Sequence, residues 1–246
     1  DIAGGLEFAD DNGVGLAELK ILSEGGDPGD ANSGDLDDDE LDDFFVNLDG
    51  GRTQRIAFES DSFAGFGFMV AARQDGDTDN EDGLGFDGSV NYGAEVNGYE
   101  VDAAAGWRPQ NNGDVFLGSA SVLAPFGVNV TFAGGVEDLD DNDASEDPDF
   151  FFAKLGYRTD IFSFGDTRFS VDFFNGHNND TFAAADGDLP QARAIGGAIV
   201  QKISPLSMEV YGVVRNYDID DLHAGGTAIE DPDSLTAFLT GARVRF

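Results

Sequence analysis

At 246 residues, with 49 Asp and Glu against 13 Lys and Arg, the chain carries a formal charge of −36, which argues against nucleic acid and anionic membrane surfaces as partners. It has no Cys, so a disulfide scaffold, Cys-ligated zinc and thiol catalysis are excluded. Its 22 Phe and 34 Gly are unusual companions for so much acid, yet no apolar run approaches the ~20 residues of a membrane-spanning helix.

A β-barrel stays open, because its hydropathy signal is much weaker per segment. The chain opens at Asp1 without a basic start or an apolar stretch, the expectation for a mature or truncated form if the protein is exported. Residues 1–51 hold two candidate strands, Gly13 to Leu22 and Glu40 to Leu48, around an acidic low-complexity stretch from Glu24 to Asp43 that reads as a loop. Strand directions counted through this region do not fit a strand that enters at Arg52 from the long-loop rim. Either it is a long loop folding into a barrel, or residues are missing near Gly50 and Gly51.

From Arg52 onward the apolar side chains alternate in segments of about ten residues, the period of a strand with two unlike faces. Strands are predicted at Arg52 to Asp61, Gly65 to Gln74, Gly83 to Val96, Tyr99 to Arg108, Asp114 to Ala124 and Val128 to Leu139. Five more are predicted at Asp149 to Asp160, Thr167 to Asn175, Ala192 to Ile203, Ser207 to Asp220 and Leu235 to Phe246. Their connections alternate in length. Ser62 to Ala64, Asn97-Gly98, Pro125 to Gly127, Ile161 to Asp166 and Ser204 to Leu206 are short. Asp75 to Asp82, Asp140 to Pro148, Gly176 to Gln191 and Asp221 to Ser234 are longer and very acidic, and Pro109 to Gly113 is a modest member of the long set. Short turns at one rim and long polar loops at the other fit an up-and-down barrel in an outer membrane. The fold class expected is therefore all-β: a single transmembrane antiparallel up-and-down β-barrel domain over residues 1–246, of about 12 to 16 strands, eleven of them in 52–246.

The two faces differ in kind. Leu84, Phe86, Val90, Tyr92 and Ala94 alternate with Asp87, Ser89, Asn91 and Glu95; Val130, Phe132 and Val136 alternate with Asn129, Thr131 and Glu137. The apolar face is assigned to lipid and the polar face to a wet interior. Most of the few basic residues fall on the polar face. The expected pore lining is Arg55, Arg73, Arg108, Arg158, Arg168, Arg215 and Arg243 with the carboxylates Glu59, Glu100 and Asp102; Lys154, Lys202 and Arg245 share that face. Basic wall and acidic loops together would set a transverse field in the pore. The plainer expectation is that about half of these arginines only pair with lumen carboxylates.

The stretch Arg52 to Ala72, with Arg55, Phe58, Glu59, Ser60, Phe63, Ala64, Gly65 and Phe66, resembles the segment of Gram-negative general porins that comes after their inward-folded third loop. The terminal Arg-Val-Arg-Phe is similar to the aromatic-ended last strand of that family. The resemblance implies trimers of roughly 16 strands, with the Arg52 strand the sixth, the N-terminal part incomplete, and Arg55 and Arg73 on the wall facing the constricting loop. It also implies passage of small polar solutes and ions, contact with outer-membrane lipids, a homotrimer and a bacterial outer-membrane location.

Other motifs are weaker. His177 and His223 fall in predicted loops without a Ser or Cys partner, and no Walker, GxSxG, HExxH or Rossmann pattern is present. Asp75, Asp77 and Asp79, and Asp138, Asp140 and Asn142, alternate oxygen ligands as calcium requires, although the twelfth position after Asp75 is Phe86 where an EF-hand needs Glu. The expectation is a passive diffusion pore with no catalytic residues, no cofactor beyond candidate calcium in the loops, and no nucleic-acid partner. The alternative is a plugged barrel whose acidic loops bind partners or serve a structural role.

Overall fold

The alternation of side chains along the chain becomes strands in the computed structural model, which describes residues 45, 46, 48, 54–75, 83–110, 113–139, 147–177, 189–224, 227–228 and 233–244. The strands are β1 (Arg55–Glu59), β2 (Phe66–Asp75), β3 (Gly83–Val96), β4 (Tyr99–Gln110), β5 (Gly113–Leu123), β6 (Val128–Leu139) and β7 (Asp149–Phe162). Then come β8 (Gly165–His177), β9 (Gln191–Ile203), β10 (Met208–Asp220), a small hairpin of β11 (His223–Ala224) and β12 (Thr227–Ala228), and β13 (Leu235–Val244). Each strand from β1 to β9 pairs antiparallel with the next, and β10 pairs onward with β13. The result is an eleven-stranded up-and-down sheet, all-β as its alternation requires, with one 3-10 turn among the described residues, at Ser204–Leu206. The ladder strands from β2 to β10, and β13, have 10 to 14 residues, long enough to cross a bilayer when tilted, which takes roughly 9–11.

The short turns have the local chemistry that closes a hairpin. Phe63 and Phe66 exchange backbone hydrogen bonds at 2.8 and 3.0 Å around Ala64 and Gly65, whose φ of 52° and 87° are both left-handed. Asn97 and Gly98 repeat this with φ of 53° and 80°, the two-residue geometry whose twist matches flanking strands. Most boundaries lie within two residues of the predicted ones, and two departures stand out. β1 spans five residues rather than the ten from Arg52 to Asp61. The connection predicted at Ile161 to Asp166 contracts to Ser163 and Phe164, because β7 and β8 continue past a register irregularity between Thr159 and Phe162.

The predicted strand at Gly13 to Leu22 and the acidic stretch from Glu24 to Asp43 lie outside the described residues. Of the other candidate, Phe45, Val46 and Leu48 are not in a strand. They pack instead on the sheet's polar face. The Phe45 ring lies 5.1 Å from Phe174 and 5.7 Å, edge-on, from Tyr217, and Leu48 is 6% exposed.

The apolar face is bare. Ile56, Phe58, Phe68, Phe86, Val90, Phe132, Leu155, Val171, Ile195 and Phe238 are all exposed there, a density of uncovered large hydrophobics foreign to a soluble monomer surface. The buried core lies on the other face. Phe152, Phe174, Ala192, Ala194, Tyr217, Ile219, Leu222 and Ala237 cluster there with Phe45, Val46, Phe150 and Leu235, toward the long-loop rim of β7 to β13. The polar face, assigned to a wet interior, is therefore not polar throughout. Phe150-Phe151-Phe152 and Phe173-Phe174 explain the exception: in a strand, neighbouring side chains point to opposite faces, so consecutive Phe residues must supply both.

Candidate pore lining

Strand register decides which residues share a face. Arg55 stands opposite Arg73, and Arg73 opposite Gly85. Gly93 stands opposite Asp102, and Glu95 opposite Glu100. Lys154 meets Asp172, Arg158 meets Arg168, and Glu209 meets both Lys202 and Arg243. This alternation puts Arg55, Arg73, Arg108, Arg158, Arg168, Arg215, Arg243, Glu59, Glu100 and Asp102 on one face, the one that also carries Phe45, Val46 and Leu48.

Three charged groups occupy that face. Toward the long-loop rim of β1 to β4, Arg55 reaches across β2 to Asp87 at 2.6 Å, remaining 41% exposed. Arg73 is buried and passes over Gly85, where an added Cβ would sit 3.1 Å from its Cζ, to donate to the Pro109 carbonyl at 2.8 Å. Arg108 donates to the Leu48 carbonyl, also at 2.8 Å. One arginine thus faces water and two are structural, the last holding the packed segment by its backbone.

At mid-height, Arg215 and Asp172 form an ion pair at 2.5 Å with both side chains 5% exposed. They belong to β10 and β8, and β9 runs between them with Gly196 at the crossing point. A Cβ at Gly196 would stand 2.8 Å from Arg215 Nε and 2.9 Å from both Asp172 oxygens, so only a residue without one leaves room for the pair. At the short-turn rim, Arg168 pairs with Asp166 at 2.6 Å and Glu209 with Arg243 at 2.9 Å. Asp87, Glu95 and Lys154, which alternation had already set on the polar face, join this lining, as does Asp172. For Phe45, Val46 and Leu48 the sequence offered only the alternative of a loop folding into the barrel, and the sharper signal was the Phe doublets that need an apolar partner inside.

The other candidates are dispersed. Asp75 ends β2, and Asp138 lies in β6 opposite Asp114, while Asp77, Asp79, Asp140 and Asn142 lie outside the described residues. Among the described residues no group of three or more His, Cys, Asp or Glu is arranged to hold a metal. His177, predicted in a loop, ends β8, where its Nδ1 is 2.6 Å from Asp149 and its Nε2 3.0 Å from Gln191. His223 opens β11 rather than lying in an unstructured loop. Arg245 and Phe246 are outside the described residues.

An up-and-down sheet that shows large apolar side chains on one face and carries most of its strand arginines on the other is built to divide lipid from water, and defines the class of outer-membrane β-barrel pores. A family model described as Gram-negative porin matches residues 9–222, and the chain belongs to that family. It forms a passive diffusion pore in the bacterial outer membrane. Among solved structures it is similar to a NanC porin in a rhombohedral crystal form, at 11% identity and a TM-score of 0.41, over 78% of this chain and 92% of that one. No curated protein matches the chain.

Proposed function

We propose that the pore passes small hydrophilic solutes and ions through a lumen lined by Arg55, Arg168, Arg243 and the other charges of the polar face, with no catalytic residue and no required cofactor. The observation that carries this reading is the segregation of every one of the ten lining residues to the face opposite the exposed Phe, Val and Ile side chains. Rate and selectivity then depend on pore radius and lining charge. The net charge of −36 favours cations, and the wall arginines oppose that preference locally.

A single-chain bacterial barrel has an even number of strands, so the eleven strands of the ladder need at least one more. The reading favours a ring of about 12 to 16, with 16 suggested by the porin resemblance, and a homotrimer on the same ground. The acidic stretches around Asp75 to Asp82 and Asp138 to Asp143 are candidate calcium sites that would relieve repulsion between loops. Planar-bilayer recording of purified, folded protein tests the pore: stepwise conductance that rises with salt is expected, and a barrel plugged by its inward segment gives no steps.

A further inference from the structure

The polar wall at the short-turn rim is charged differently on its two sides. On β3 and β4 it is acidic, with Glu95 directly opposite Glu100 and Asp102 one step above. On β7 to β13 it is basic. Arg158 stands directly opposite Arg168, and Glu209 is flanked in register by Lys202 and Arg243. Like charges directly opposed on neighbouring strands destabilise a sheet unless something neutralises them.

The carboxylates at hand do not suffice. Asp166 lies 2.6 Å from Arg168, and Glu209 lies 2.9 Å from Arg243 and 3.9 Å from Arg168. The exposed side chain of Arg158 has no ion-pair or hydrogen-bond partner among the described residues. Four cations (Arg158, Arg168, Lys202, Arg243) less two carboxylates (Asp166, Glu209) leave a local charge of +2. Counting Asp160, which lies just past the start of the register irregularity, still leaves +1. This surplus lies in a chain of net charge −36, away from Arg55, Arg73 and Arg108 at the other end of the strands.

We propose that this basic side of the short-turn mouth is an anion subsite, in which Arg158, Arg168 and Lys202 take up the carboxylate or phosphate group of a permeating solute. Guanidinium forks match such oxyanions in a bidentate way and hold their charge at any working pH. The lysine adds a third, point-like donor. An anion here relieves the Arg158–Arg168 opposition, and the acidic wall of β3 and β4 keeps it to one side of the passage. The subsite rests on the pore reading, because solutes must reach it through the lumen.

The test records single channels at low ionic strength while inorganic phosphate, or acetate in a second series, is titrated in. Folding of each variant is checked by heat-modifiable migration. Wild-type conductance should fall to a plateau. Half-saturation should move about tenfold higher, or more, in the Arg158→Gln/Lys202→Gln variant, with Arg158→Lys between the two. If the double variant does not fold, Arg158→Gln alone, at an exposed position, serves in its place. The same half-saturation in wild type and variant, or no plateau in wild type, would overturn the subsite. Calorimetric titration of folded protein in detergent with phosphate runs alongside. If wild type forms no channels, the pore reading fails, and the calorimetry decides the subsite alone: heat lost in the variant supports it, and no heat in wild type sinks it.

Discussion

Replacing Asp172 by Ala removes the carboxylate partner of a guanidinium whose residue is only 4% exposed. Arg215 Nε already makes no hydrogen bond among the described residues, so the charge would keep neither its carboxylate nor a full set of acceptors. Lys154 stands opposite Asp172, and the substitution also deletes the anion between two cations. Breaking a buried pair from one side costs about 3–5 kcal/mol; shortening Asp to Ala adds little, since a strand tolerates Ala. The loss should be read by urea unfolding in detergent micelles, as a lower midpoint at unchanged slope. The Asp172→Ala/Arg215→Met variant should recover most of it, because no uncompensated charge remains and the methionine stem refills the space. A loss below about 1 kcal/mol for the single variant would refute the reasoning, since it would mean that lumen water solvates Arg215 as it would a surface residue.

Four more outcomes are expected from the two faces. Cysteines at Val90 and Asn91, neighbours on opposite faces of β3 and both exposed, should react with lipid-soluble and water-soluble maleimides respectively; the reverse pattern would invert the assignment of faces. Arg55→Ala should make the pore more cation-selective in reversal-potential measurements at low salt, because it removes an exposed cation and unmasks Asp87. Arg73→Ala should leave the potential nearly unchanged and instead lower stability by about 1–3 kcal/mol through the orphaned Pro109 carbonyl and lost packing. Arg108→Ala should release the Leu48 carbonyl and give larger, noisier open-channel currents, whereas a quiet channel of wild-type size would show that Phe45 and Val46 hold the segment without it.

Period-2 patterning made the strands legible, and the turn chemistry fixed their register. Asn97-Gly98 could be read directly because so few sequences accept two left-handed residues in a row, whereas the connection expected at Ser62 to Ala64 turns one residue later, at Ala64 and Gly65. The sharing of one face by Arg158, Arg168, Arg215 and Arg243 was also legible, since alternation within a strand needs no knowledge of its neighbours. What each arginine does was not. Arg55 and Arg73 look alike in the sequence and sit opposite each other, yet one faces water and the other is locked against a carbonyl. That difference depends on Gly85 and Pro109, a strand and two strands away. The apolar patch inside is hard to see in the sequence for a related reason: alternation is a property of a single strand, while the Phe doublets call for a partner from a distant part of the chain.

The Arg215–Asp172 bridge over Gly196 also bears on how such a wall is assembled. A strand that slips by one residue betrays itself by turning its apolar side chains inward, but a slip by two keeps both faces correct and would pass unnoticed by the lipid. In β9 that slip brings Ala194 or Ala198 beneath the bridge in place of Gly196. Either methyl group would collide with the bridging side chains and force two buried charges apart. One missing methyl therefore works as a proofreading mark, tying three strands to a single alignment while the sheet zips together.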